Sequence, residues 1–336
     1  VKKKVVGSGG RAEKGSPHPS RTEFIMPSTE SATDQPSLSS AEARLGLHDA
    51  RWTTLVLFLM RWMPMWLITA LTYPITLVIY ILAVPQREAL RENLTALCPG
   101  TGSSCLAGFR VLHQFALTYM DRLWHLHFAK EVRWQMDGDD AFDQLRAEPG
   151  GALVFTVHSG NYDIGASLFA KKFGRKIHTV RMPEMSTSLQ QLRGKELREQ
   201  EEKEPLLRIH YNVPDAHLGM ELCRILAAGD VVCVQGDRVM GDVAPTTADV
   251  DGLRYSIPRG PLVLAEVTGA PCYPVFLRRI GRMHYGIEFG WPFHSGPKRP
   301  KSADLAQVWV RVMHGFLQRH WDQWFVFEPL VTRLPT

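Results

Sequence analysis

From residue 150 onward, short apolar runs alternate with longer stretches whose apolar positions recur every three or four residues. The short runs suit buried strands and the longer stretches suit amphipathic helices. Strands are expected at 152–157, 176–181, 206–210, 230–235, 272–278 and 283–289. Helices are expected at 161–172, 188–203, 215–228, 259–268 and 303–320. Strict alternation of this kind predicts the α/β class: a mainly parallel, twisted sheet flanked by helices. The sharpest piece is Ala152 to Asp163. Its apolar run stops at His158, Ser159 and Gly160 turn the chain, and a helical stretch follows. His158 is thereby placed at the carboxyl end of a strand, where open α/β sheets hold their ligands.

Asp163 lies five residues beyond His158, in the expected first helical turn, from which a carboxylate reaches back to an imidazole. Such a pair suits general-base catalysis, the carboxylate fixing the tautomer while the ring accepts a proton. The backbone amides of Gly160 and Asn161 open the same helix and face a developing oxyanion, as those of any helix start do. The pattern recurs as His210 and Asp215, but Pro214 intervenes and Asp215 reads as a helix N-cap. Arg181 ends the second strand, and Gln235-Gly236-Asp237-Arg238 ends the strand Val231–Val234. Two further strands thus deliver charged groups to the rim that carries His158, and that convergence is what a site requires.

Other motifs are weaker. Asp249-Val-Asp251 has the Asp-x-Asp form used by metal-dependent glycosyltransferases, but no strong strand precedes it and it reads as a solvated loop. Asp137-Gly-Asp-Asp140 lacks the later ligands of a calcium loop and reads as a turn with a helix cap. Ser159 is outside a Gly-x-Ser-x-Gly elbow, which argues against a serine hydrolase. The five cysteines are scattered and odd in number, with no zinc spacing, so no metal site is expected and a reducing compartment fits.

The amino-terminal part is different in character. Residues 1–50 are rich in Gly, Ser, Pro and charge, and read as a disordered basic and polar tail. Six of its first 25 residues are basic (Lys2, Lys3, Lys4, Arg11, Lys14, Arg21) against Glu13 and Glu23, so most of the chain's net charge of +5 belongs to the tail. No basic stripe is interleaved with aromatics, which leaves nucleic-acid binding without support. The first methionine is Met26, and translation is expected to begin there or at Val1 through an alternative start codon. Residues 51–86 form the longest apolar stretch, with Arg61 its one charge between Leu55 and Val84, and read as a hydrophobic membrane-anchoring helix. Trp62 to Val84 is long enough to span roughly 30 Å of hydrocarbon. Pro64 and Pro74 interrupt it, so a re-entrant hairpin or a pair of surface-lying helices are alternatives. Arg51 and Arg61 before it and Arg87 and Arg91 after it do not orient it. Residues 87–149 read as a helical segment packed on the α/β domain of residues 150–330.

The His158–Asp163 block resembles the first motif of the glycerolipid acyltransferases with a His-x4-Asp signature. Within them, the chain most resembles the bacterial lipid A biosynthesis acyltransferases that add secondary acyl chains. The agreement is ordered: the apolar amino-terminal segment, Arg87-x3-Arg91-Glu92-Asn93-Leu94, the His/Asp block, Arg181, Gln235-Gly-Asp-Arg238, Pro258 to Ala265, Thr268-Gly-Ala-Pro271 with Pro274, and Asp322-Gln-Trp-Phe325. It departs where Gly236-Asp237-Arg238 stands for the common Asp-Gln-Asp, where Phe325-Val-Phe-Glu-Pro329 replaces an Arg-bearing stretch, and in lacking Phe-Phe-Gly between 239 and 257.

The resemblance implies transfer of an acyl chain from acyl carrier protein or coenzyme A to a hydroxyl of a membrane lipid, a lipid A precursor above all. It implies His158 as base with Asp163 orienting it, and Arg181 and Arg238 holding phosphate or polarising the donor, with Asp237 positioning Arg238. It implies no cofactor beyond the thioester co-substrate, no metal, and a place on the inner membrane with the site on the cytoplasmic side. A metal-dependent glycosyltransferase built on Asp249 and Asp251, and a non-catalytic membrane-anchored lipid-binding protein, are the competing readings.

Overall fold

A computed structural model describes residues 50–98, 100, 105–184, 186–213, 217–240, 243–296 and 299–335. The basic tail, Asp215 and both candidate start residues therefore lie outside the described residues.

The apolar amino-terminal stretch forms two helices, α1 (Ala50–Trp62) and α2 (Met65–Leu82). Pro64 supplies the break: it caps α2 in an extended conformation at φ −66° and ψ 147°. The single helix expected over 51–86 is thus divided at Pro64, because proline fixes its own φ and has no N–H for the preceding turn, while the stretch expected to span, Trp62 to Val84, is one helix from Met65 to Leu82. Helix α2 is the one helix among the described residues long and apolar enough to cross a bilayer. It buries Ile68, Thr72, Thr76 and Tyr80, spaced four apart on one face. Its other face leaves Trp66, Tyr73, Ile75, Val78 and Ile81 exposed. Pro74 sits within α2 without ending it. Helix α3 (Val84–Leu97) starts on Pro85, and α4 (Cys105–Phe128) carries the surface against which α2 packs. Gly108 of α4 makes room for Tyr80, since a Cβ there would lie 2.6 Å from the Tyr80 hydroxyl.

The remaining chain alternates much as its pattern predicts: β1 (Arg133–Asp137), α5 (Asp139–Ala147), β2 (Ala152–Thr156), α6 (Tyr162–Phe173), β3 (Ile177–Arg181), α7 (Thr187–Lys203), β4 (Leu207–Tyr211), α8 (Leu218–Ala227), β5 (Val231–Gln235), β6 (Pro245–Val250), β7 (Leu253–Pro258), α9 (Gly260–Thr268), β8 (Cys272–Gly281), β9 (His284–Phe289), α10 (Ser302–Arg319) and β10 (Val331–Arg333). A seven-stranded sheet runs in the order β1-β9-β8-β2-β5-β3-β4, with every neighbouring pair parallel except β8 and β9. Strand β1 lies inside the stretch expected to be helical. Its alternating Arg-Trp-Gln-Met-Asp carries a polar face, as a sheet-edge strand does, and it pairs with the distant β9. A second, three-stranded sheet, β10-β7-β6, was not legible in the pattern.

Two apolar layers sandwich the large sheet, each drawn from alternate residues of its strands. Leu153 and Phe155 of β2, with Val157 just beyond it, pack with Val232 and Val234 against Trp309, Met313 and Phe316 of α10. Ala152 and Val154 face the other way, with Ile177, Leu207 and Val231, against Phe169 and Phe173 of α6 and Leu145 of α5. Strand β2 is buried along its whole length between these layers, so the chain leaving Thr156 emerges at the sheet's carboxyl rim.

Candidate active site

His158 stands two residues past Thr156 of β2, and Asp237 two residues past Gln235 of β5. Thr156 and Gln235 are register partners on adjacent parallel strands, so His158 and Asp237 emerge side by side. The His158 backbone N–H donates to Asp237 Oδ2 at 2.9 Å, and the ring Nδ1 meets Oδ1 at 2.8 Å. Trp324 Nε1 donates to Oδ2 at 2.9 Å, and the Phe325 N–H donates to the His158 carbonyl at 2.8 Å. A segment near the carboxyl terminus thus clamps both members of the pair. Asp237 is 1% exposed. Burial alone raises its carboxyl's pKa, but the imidazole charge of His158, the two His158 hydrogen bonds and the Trp324 indole outweigh burial and hold it below the ordinary value. An ionised carboxylate only accepts. Nδ1 therefore carries a proton toward it, and Nε2 is the ring nitrogen outside this pairing.

This corrects the expected pairing. Asp163, in the first turn of α6, does not take Nδ1. Its Oδ1 receives Arg181, and its Oδ2 lies 3.0 Å from Arg122 Nε. Burial raises the Asp163 pKa, and Arg181 followed by Arg122 outweigh it, so the carboxyl stays ionised well below its usual range. Burial likewise works against the charge on Arg181, and the pairing with Asp163 outweighs it and lifts Arg181 above its ordinary value. Arg122 also donates to Glu196 Oε2 at 2.7 Å, and Glu196 Oε1 meets His127 Nε2 at 2.9 Å. Asp163 is thereby the inner end of a charge network linking α4, α6, β3 and α7. Two guanidiniums attract this carboxylate more strongly than one imidazole does, and β5 already supplies the imidazole with another.

The other expected residues divide. Arg181 and Arg238 line a cavity beside His158, but Arg238 pairs with Glu328, and Asp237 serves His158 rather than positioning Arg238. Gly160 and Asn161 do not line the cavity. Gly160 adopts φ +54°, and a Cβ there would lie 2.7 Å from the Leu277 carbonyl, so its role is a close backbone crossing. Asn161 is buried and donates to the Thr118 carbonyl of α4 at 3.3 Å. His210 meets His178 Nδ1 at 2.9 Å and is also outside the cavity lining. Asp249 and Asp251 are not in a loose loop. Asp249 is in β6, with both oxygens on Arg254 at 2.8 and 2.9 Å, and Asp251 (φ +50°) with Gly252 (φ +74°) makes the two-residue turn to β7. The Asp-Gly pair was the available signal for that hairpin. Neither aspartate lines the cavity.

The cavity has a volume of about 580 Å³. Its polar end carries His158, Tyr162, Asp163, Arg181 and Arg238. Deeper in, Val154, Phe169, Leu207, Ile209, Val275 and Leu277 give an apolar wall. Burial and then the Asp163 charge push the Tyr162 phenol up to about 12, so it stays neutral beside the imidazole. Burial likewise lifts the Cys233 thiol in this wall to about 12, which leaves it protonated and unreactive.

An imidazole bonded to a buried carboxylate at a strand's carboxyl end, in the lining of a largely apolar cavity with Arg181 and Arg238, is an arrangement able to support general-base chemistry. The chain belongs to the bacterial lipid A biosynthesis acyltransferases, whose family model matches residues 46–332. No curated protein matches the chain. The ordered motifs of the sequence and the mostly parallel sheet agree with this membership. Sequence reasoning did not assign Asp237 to His158, and it missed Trp324 and Arg122 as contributors. The equal offset of His158 and Asp237 from the ends of two apolar runs was a signal, but it becomes usable only once β2 and β5 are known to be neighbours.

Proposed function

We propose that the protein moves a fatty acyl chain from a thioester of acyl carrier protein or coenzyme A to a hydroxyl of a membrane glycolipid, a lipid A precursor. The observation that carries this reading is His158 in the cavity lining, with Nδ1 held by Asp237 and Nε2 outside that bond. In the reaction, Nε2 takes the proton of the acceptor hydroxyl as its oxygen attacks the thioester carbon. The carbon–oxygen bond forms, the carbonyl electrons move onto oxygen, and the carbon–sulfur bond breaks on their return. The imidazolium then gives its proton to the departing thiolate. Asp237 balances the imidazolium, and a base so positioned contributes about 10²–10⁴-fold.

Asp163 acts differently, by fixing Arg181 at the mouth of the cavity through their ion pair. Arg181 and Arg238 supply positive charge for the phosphates of donor or acceptor. The exposed apolar face of α1 and α2 lies in the bilayer in this reading, with the site on the cytoplasmic side of the inner membrane. Helix α4 connects the two functions, since it packs against α2 and also carries Arg122, which holds Asp163.

The test is mass spectrometry of total lipids from matched cells lacking the gene and complemented with wild type or His158→Ala. One lipid class should gain a single acyl unit with wild type alone. Unchanged lipids with wild type, or full complementation by His158→Ala, defeats the reading.

A further inference from the structure

The proposed step puts negative charge on the thioester oxygen, and the amides of Gly160 and Asn161 do not line the cavity to meet it. Among the described residues, three of the cavity-lining side chains carry a buried polar atom without a hydrogen-bond partner: Thr156 Oγ1, Gln235 Nε2 and Arg238 Nε. Thr156 and Gln235 form a pair, since they are register partners on β2 and β5. Strand alternation puts them on the face that also carries Val154 and Cys233, one layer deeper. His158 and Asp237 come two residues on, about 6.6 Å further along the strands. A polar layer therefore lies between the base and the apolar wall. Thr156 is 9% exposed.

Buried donors without partners cost a folded chain free energy, and each one kept in a native structure calls for an explanation. Here a hydroxyl and an amide NH2, both donors, line a cavity at the level where a thioester carbonyl would lie. With the acyl chain against the apolar wall and the acceptor oxygen at Nε2, the carbonyl carbon falls between the two layers. We propose that Gln235 Nε2 and Thr156 Oγ1 are the oxyanion donors of this enzyme, with Gln235 the principal one. The inference rests on the acyl-transfer reading. As the acceptor oxygen bonds to the carbonyl carbon, the electron pair displaced onto the carbonyl oxygen is met by these two donors. They release it when the pair returns and the thiolate leaves with the proton from His158. Neither side chain gains or loses a proton.

The experiment uses the full-length enzyme in mixed micelles, with an acyl-thioester of acyl carrier protein or coenzyme A as donor and a lipid A precursor as acceptor. Wild type, His158→Ala, Gln235→Leu, Gln235→Glu, Thr156→Val and Thr156→Ser are compared for kcat, donor KM and thermal midpoint. Loss of one oxyanion donor lowers kcat about 10²- to 10³-fold. Gln235→Leu should show that loss with donor KM within threefold and a thermal midpoint no lower than wild type, because it removes an unpartnered donor and no internal bond. Gln235→Glu, which cannot donate when ionised, should be at least as impaired. Thr156→Ser should keep most of the activity that Thr156→Val loses. A kcat for Gln235→Leu within tenfold of wild type overturns the inference, and so does a loss that tracks a fallen thermal midpoint. If wild type transfers no acyl group, or His158→Ala matches it, the acyl-transfer reading fails first and the inference with it.

Discussion

Replacing Asp237 by Asn separates the role of the carboxylate from its place in the fold. Asp237 accepts three hydrogen bonds: Oδ2 from the His158 N–H and from Trp324 Nε1, both at 2.9 Å, and Oδ1 from His158 Nδ1 at 2.8 Å. An asparagine amide has one oxygen and one NH2. With the NH2 in the place of Oδ2, two buried N–H donors would be orphaned at about 1–3 kcal/mol each. The oxygen therefore takes that place, and the NH2 faces Nδ1. The ring answers by presenting its Nδ1 lone pair and carrying its proton on Nε2, where it can no longer accept one from a hydroxyl. All three charge-assisted bonds become neutral ones, the one at Nδ1 with its direction reversed, a loss of about 3–4 kcal/mol of stability in all. Turnover should fall much further, by about 10⁴-fold, the loss seen when this exchange traps the wrong tautomer in a histidine–carboxylate pair. Initial rates at saturating donor and acceptor, paired with urea melts, measure both. Asp237→Asn retaining a tenth of wild-type turnover, with Asp163→Asn inactive, would refute the reasoning and return the orienting role to Asp163.

Two further outcomes are expected from the charges and from the exposed helix face. Asp163 and Asp237 have folded pKa values below those of the unfolded chain, so their stabilisation is present above about pH 4 and is lost as pH falls through the folded values. Glu288, held at about 2 chiefly by its bond to His320, adds to the same acid window. Urea midpoints measured from pH 5 to pH 2 should fall more steeply for wild type than for Asp163→Asn, and equal slopes would exclude that contribution. Trp62 and Trp66 are 73% and 64% exposed, and seating each ring in a bilayer interface is worth about 2–3 kcal/mol. Their joint replacement by Ser should weaken flotation with anionic phospholipid vesicles at least tenfold and leave the thermal midpoint unchanged, whereas unaltered flotation would mean that this face does not dock on lipid.

Much of the fold is local and was readable as such. Val231 to Val234, Leu206 to Ile209 and Ala152 to Val157 are runs that water cannot solvate cheaply, and their burial in a parallel sheet accords with composition and length. The break at Pro64 and the strand-end position of His158 are equally local. Edge strand β1 and the β6–β7 hairpin escaped because their residues are half polar and their pairing partners are remote or depend on a turn with positive φ. The site divides along the same line. By itself the sequence determined that a histidine would stand at the rim of an α/β sheet, with arginines and aspartates delivered to the same edge by other strands. Only the tertiary structure decided which aspartate the imidazole would meet. Strand order puts β5, and with it Asp237, next to β2, while α4 brings Arg122 to join Arg181 on Asp163. A carboxylate's partner is set by which opposite charges and donors lie within about 3 Å of it in a desolvated site, and among residues as far apart in the chain as His158, Asp237 and Trp324 that is a property of packing rather than of spacing.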